Sequence, residues 1–277
     1  MNQNSAIKKS GFILLSVALT GFLFVREASA ISIGVDKPHI NIISDPGTTD
    51  SGVIQVKNKG EVPISVRVTM ADWTYDKEGE RVFKKPGTTF LSCSDWIDIA
   101  PKEALVPANG ALDFSYNITT PKDAMGGHYA VIFFNASGME EEDKFKAMGI
   151  KLVGRIGTVV YQETRGKTNK IGSVPYFKII KPKKNEPLLA EYKFKNEGNA
   201  FIRFKGTLSI MDKDGTLYGN AESKKDVGTL PGDVREDAIK WFGSLPKGDY
   251  DLILTVDMGE GTVPVIKQES ISLERDI

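Results

Sequence analysis

Apolar and polar residues alternate with a period of two over most of the chain, the pattern of strands half buried against a core rather than of helices. Alternating runs occupy residues 31–43, 52–57, 64–73, 112–118 and 128–135, with a short apolar run at 96–99. Between them stand Asp45-Pro46-Gly47, Asn58-Lys59-Gly60, Asp76-Lys77-Glu78-Gly79, Pro107-Ala108-Asn109-Gly110 and Gly126-Gly127, residue types that suit tight turns and left-handed backbone. The most strand-like run is 149–161. It places Ile150, Leu152, Ile156 and Val160 on one face and Lys151, Val153, Arg155, Val159 and Tyr161 on the other. The first face belongs to a core; the second carries two cations about 13 Å apart along an extended strand. About seven or eight such short strands at roughly ten-residue spacing, with no amphipathic helix, predict a β-sandwich.

From about Lys170 the same signals return in the same order. Lys57-Asn58-Lys59-Gly60 is echoed by Lys195-Asn196-Glu197-Gly198, and Asp76-Lys77-Glu78-Gly79 by Asp212-Lys213-Asp214-Gly215. Pro107-Ala108-Asn109-Gly110 is echoed by Pro231-Gly232-Asp233, and Gly127-His128-Tyr129 by Gly248-Asp249-Tyr250. One supersecondary unit is used twice. The polar stretch 162–170, with Gly166, marks the junction. The expected division is therefore 31–165 and 170–277.

Residues 1–30 have the layout of an export signal. Lys8 and Lys9 precede an apolar run from residue 12 to 25, and Ala28-Ser29-Ala30 supplies small residues for cleavage. The apolar run is 14 residues long, short of the roughly 20 that a membrane span needs. The chain carries 36 basic and 36 acidic side chains, and this balance argues against nucleic acid as a partner. A single cysteine, Cys93, precludes an internal disulfide and fits a buried, inert thiol.

Catalytic chemistry has little to work with. His39 and His128 are the only histidines, both lie in strand-like contexts, and neither belongs to a metal-binding or catalytic motif. Asp212-Lys213-Asp214-Gly215 resembles the opening of a calcium loop, but Leu217 and Ser223 stand where later ligands belong, so a hairpin turn is expected. The acidic run 140–143 reads as a solvated loop. Trp73, Trp96 and Trp241 are expected in cores or between sheets. Tyr129 and Tyr250, each two residues after a turn glycine, are expected to tie a loop to the end of a sandwich. No metal or cofactor is anticipated. Lys151 and Arg155 stand out, because paired cations on an edge strand can hold a carboxylate while the backbone accepts an incoming strand.

The first block resembles the N-terminal domain of the periplasmic, PapD-like chaperones of pilus assembly. The opening Val35-Asp36-Lys37-Pro38-His39-Ile40-Asn41-Ile42 is similar to that family's first strand, which gives a basic residue to the subunit cleft, and Ile150-Lys151-Leu152 to its last strand, whose lysine anchors a carboxylate. Residues 137–147 are similar to the protruding loop before that strand. The resemblance implies two tandem immunoglobulin-like β-sandwiches. It implies an exported, non-enzymatic bacterial protein of the periplasm or cell surface that binds a secreted or surface subunit by edge-strand pairing. It makes Lys151 the anchor and puts His39 where an arginine is expected with Lys37 close by; on the strand-pairing reading the outward Arg155, Val153, Val159 and Tyr161 of the same strand face the partner. Pro46-Gly47, Asp95-Trp96-Ile97, Gly126-Gly127-His128-Tyr129 and Arg155-Ile156-Gly157 are also similar to the peptidoglycan-binding domain of WxL-interacting proteins. That similarity implies an alternative role as a cell-envelope adaptor holding peptidoglycan or surface proteins.

Overall fold

A computed structural model describes residues 31–138, 153–182 and 186–277; the export segment, the acidic run 140–143 and Lys151 lie outside them. The first block folds into β1 (Ile33–Val35), β2 (His39–Ser44), β3 (Thr49–Asn58), β4 (Ile64–Tyr75), β5 (Arg81–Lys84), β6 (Ile97–Ala100), β7 (Glu103–Val106), β8 (Ala111–Thr119), β9 (Gly127–Gly138) and β10 (Val153–Thr164). One sheet has the order β1-β3-β8-β6; the facing sheet runs β2-β10-β9-β4-β5, with β7 also on β4. Their inner faces meet in a core built around Ile54, Val66, Phe114, Ile132, Phe134 and Val160, all with at most 1% of their surface exposed.

The second block forms β11 (Gly172–Ile180), β12 (Leu188–Asn196), β13 (Ile202–Asp212), β14 (Leu217–Glu222), β15 (Val227–Thr229), β16 (Val234–Trp241), β17 (Gly248–Asp257) and β18 (Val265–Leu273). Its sheets are β11-β12-β16 and β14-β13-β17-β18, with β15 on β13, closed over Tyr192, Phe194, Phe204, Leu208 and Leu254. No pairing among the described strands joins the two sets. Both are β-sandwiches, as the alternation predicts.

The repeated turn signals make the same hydrogen bonds twice. Asn58 is 2% exposed; its amide donates to the carbonyls of Val62 and Val106 and its oxygen accepts from the Gly60 N–H. Asn196, fully buried, does the same with Ala200, Thr229 and Gly198. Asp76 and Asp212 each accept from the N–H four residues on, Glu80 and Thr216, and each hairpin closes on a glycine with φ of 84°. The Asp212 loop is thus a hairpin turn.

Ten strands replace the expected seven or eight for local reasons. β5 and β7 are four residues each and sit in charged or proline-flanked sequence, too short to show a period. The opening run is two strands, because the chain leaves one sheet and joins the other around Pro38: β1 pairs with β3, and β2 runs parallel to β10. Tyr250 fits its expected corner role, donating to the Pro246 carbonyl at 2.8 Å. Tyr129 does not. Its ring lies 5.9 Å from those of both Trp73 and Tyr161 and 6.2 Å from that of Phe201, where burial pushes its phenol well above the ordinary range.

Candidate partner-binding edge and interdomain cleft

β10 is sheltered on one side along its whole described length by β9, from Val153 opposite Ser137 to Glu163 opposite Gly127. On its other side β2 is paired only from Val159, opposite His39, to Thr164. Successive residues of a strand point their N–H and C=O groups to alternate sides. Val159 donates toward β2, to the Pro38 carbonyl at 3.0 Å, whereas Thr164 donates toward β9, to Gly126 at 2.9 Å. Odd-numbered residues therefore address the β2 side, and at Val153, Arg155 and Gly157 no strand among the described residues is there to receive them. Pro38 explains where the cover ends: it has no N–H, and here the chain crosses to the other sheet, with the Thr158 hydroxyl tied to the Lys37 carbonyl at 2.7 Å.

The side chains at this edge have distinct environments. Val153 is 53% exposed. Arg155 is exposed, donates from Nε to Asn135 at 2.8 Å and sets its guanidinium 4.8 Å from the Phe133 ring centroid, which fixes its direction on the outer face of the sheet. Val159 is half-buried against an aromatic cluster. Tyr161 is only 8% exposed within that cluster, and it lines a cleft beside His39 rather than the open stretch at Val153–Gly157. The even-numbered Ile156 and Val160 pack on the core. Lys37 donates to the Val53 carbonyl at 2.6 Å.

His39 opens onto a cleft of about 620 Å3 between the two sandwiches, walled by Tyr161, Glu163, Lys170, Phe201 and Arg203. Lys170 and Glu163 are paired at 2.8 Å, and the Arg203 guanidinium lies 5.5 Å from the Phe201 ring. The cleft thus brings together His39 and two cations, Lys170 and Arg203, that the sequence does not single out. Lys170 looks like linker and Arg203 like an outward residue of a strand; only the docking of the second sandwich puts them beside His39.

That docking is aromatic. Phe201 inserts against Tyr161, Trp73 and Tyr129, with the nearest ring centroid at 4.9 Å, and Leu230 joins the same cluster. Trp73 is therefore buried between the sandwiches. Arg235 lies 4.3 Å from the Tyr75 ring and donates to the Gly79 carbonyl at 3.1 Å. The Gly127 N–H donates to the Asn199 carbonyl at 2.7 Å; Gly126, with φ of 76°, leaves room there, since a Cβ would collide with the same carbonyl. The shape of the cleft is consequently set by apolar packing and hydrogen bonds rather than by the linker alone.

Among the described residues no group of three or more histidine, cysteine, aspartate or glutamate side chains could hold a metal, and no helix is long and apolar enough to cross a membrane. No protein-family model and no curated protein matches the sequence. Solved structures do match in shape. The class 5 fimbriae chaperone CfaA aligns over 86% of this chain and 99% of its own, with a TM-score of 0.51 and 10% identity. The E. coli chaperone DraB aligns over 88% and 100% with a TM-score of 0.42 and 12% identity, and the Pseudomonas aeruginosa chaperone CupB2 over 84% and 97% with a TM-score of 0.36 and 10% identity. The chain has the PapD-like fold, two immunoglobulin-like sandwiches in tandem.

Proposed function

We propose that the chain is an exported, non-enzymatic assembly factor of two domains, residues 31–165 and 170–277, that follow a cleaved segment 1–30 and act as a chaperone for a secreted or surface subunit of fimbrial type. The observation that carries this reading is that no strand among the described residues pairs with β10 on its β2 side at Val153, Arg155 and Gly157. An extended partner segment can continue the sheet there, taking hydrogen bonds from the backbone and placing alternate side chains beside Val153 and over Gly157. Three residues' worth of backbone bonds, at about 1 kcal/mol net each, make a weak complex alone. A charged anchor is therefore required. Lys151, two residues before Val153 in the sequence, serves as that anchor for a partner carboxylate; His39, opposite Val159 and so eight residues further along, and Lys37 meet the partner at the other end of the open stretch. The likeness to CfaA supports the fold on which this edge is displayed.

Substitution of Arg155 by Pro or Ala separates backbone from side chain. The Arg155 N–H faces away from β9, so proline removes a donor only from the open edge, a position where strands tolerate it. Both variants lose the Asn135 contact. Arg155→Pro should retain at most about one tenth of the subunit that co-purifies with Arg155→Ala, a difference of about 1.4 kcal/mol, with closely similar melting temperatures. Equal recovery with the two variants contradicts strand pairing at this edge. Lys151→Ala should abolish the complex and leave the melting temperature nearly unchanged.

A further inference from the structure

A second cavity, of about 850 Å3, lies where the sandwiches meet; Trp73, Trp96, His128, Leu230 and Asp233 are among its lining residues. Two apolar side chains stand at it with most of their surface in water, Phe90 at 97% exposure and Met125 at 63%. A single exposed apolar residue is ordinary. Here the loop that carries Phe90 is held on both flanks by one carboxylate. Asp72, with no exposed surface, accepts from the Thr88 and Thr89 N–H groups before Phe90 and from the Ser92 and Ser94 hydroxyls after it, at 2.5–2.8 Å. The fold thus presents Phe90 to solvent on a rigid support.

The cavity also has a sign. Its walls carry the carboxylates of Asp123 and Asp233 and no lysine or arginine. Asp233 Oδ2 is buried without a hydrogen-bond partner, as are His128 Nδ1 and Nε1 of Trp73, a residue 2% exposed. Burial raises the Asp233 carboxyl above its ordinary value, outweighing a backbone hydrogen bond at Leu230 and the charge of Arg235. A cation entering the cavity favours the charged carboxylate that burial disfavours. Trp96 and His128, with ring centroids 4.3 Å apart and planes inclined at 45°, form an aromatic wall against which an apolar group can pack.

We infer that this cavity docks a polypeptide segment of a partner protein that presents an aromatic or large aliphatic side chain beside a lysine or arginine. The apolar side chain enters between Phe90, Met125 and Leu230 and packs on the Trp96–His128 wall, while the neighbouring cation is held by Asp233 and Asp123. The two carboxylates and the large apolar share of the lining, Phe90, Leu91, Met125, Leu230 and Pro231, favour a basic peptide with an apolar side chain over a glycan. None of these residues belongs to the open edge of β10, so the site stands independently of strand pairing.

The probes are the capped tetrapeptides Gly-Phe-Lys-Gly, Gly-Phe-Glu-Gly and Gly-Ala-Lys-Gly and the N-acetylglucosamine trimer, titrated into the intact protein with its tryptophans labelled with nitrogen-15. The Phe-Lys peptide should give saturable shifts of the Trp73 and Trp96 indole signals, leave Trp241 unmoved, and bind about tenfold more tightly than either other peptide. Phe90→Ser, at a side chain in solvent, and Asp233→Asn should each weaken it about fivefold with the Trp241 signal in place, whereas Arg155→Pro should change nothing. Absence of saturable shifts with the Phe-Lys peptide, equal binding of the Phe-Lys and Phe-Glu peptides, or saturation by the sugar trimer alone overturns the inference.

Discussion

Asp72 shows how one side chain orders a surface. Burial alone pushes its carboxyl up, but the hydrogen bonds from Ser92 and Ser94 and from the Thr89 backbone outweigh that and hold it below the ordinary carboxylate value. A depressed folded-state pKa adds stability that is present above the unfolded value of about 3.9 and is lost as pH falls through the folded value. Asp72→Asn keeps the shape but turns an amide against N–H and O–H donors. It should lower stability at pH 7 by about 1–3 kcal/mol, with the gap to the wild type narrowing in urea titrations below about pH 4. A gap that is the same at all pH values contradicts the assignment. Cys93 lies nearby with no exposed surface, and burial together with the Asp72 charge drives its thiol far up, which makes it the inert cysteine the composition suggests.

Among the elements, turns were legible and pairings were not. Asp76 and Asp212 bond residues four positions on, and Asn58 and Asn196 bond residues two and four positions on besides the distant Val106 and Thr229 carbonyls, so the local part of their chemistry repeats visibly in the sequence. Strand alternation likewise placed the two faces of β10 in advance. What decides the edge is different in kind. It depends on β2 running parallel to β10 and stopping at Pro38, a contact more than a hundred residues apart in sequence that no local pattern encodes. If the two asparagines are equivalent supports, Asn58→Ala and Asn196→Ala should each cost about 2–4 kcal/mol in denaturant unfolding, because each leaves several buried backbone groups without partners. A loss under about 0.5 kcal/mol at either position is the opposing result.

At the scale of the molecule, the two sandwiches are joined by an aromatic cluster whose members come from β4, β9, β10 and the Phe201 and Leu230 segments. Trp73 was legible as a buried residue, yet its partner Phe201 was not, since each lies in its own unit and only docking unites them. The same docking creates both clefts: Tyr161 and Phe201 wall one, Trp73 and Leu230 the other. Among the described residues no strand pairs with the β2 side of β10 at Val153–Gly157, because β2 begins only after Pro38. Edge strands exposed in this way invite pairing, and the proposed partner there is a strand of a subunit. Amide hydrogen exchange at Val153, Arg155 and Gly157, compared between the free protein and its complex with a co-purified subunit, tests this most directly. The account predicts exchange slowed by about 100-fold or more at these three amides in the complex, with the even-numbered amides already protected in the free protein by β9. A complex that forms while these three amides exchange at the free rate contradicts it.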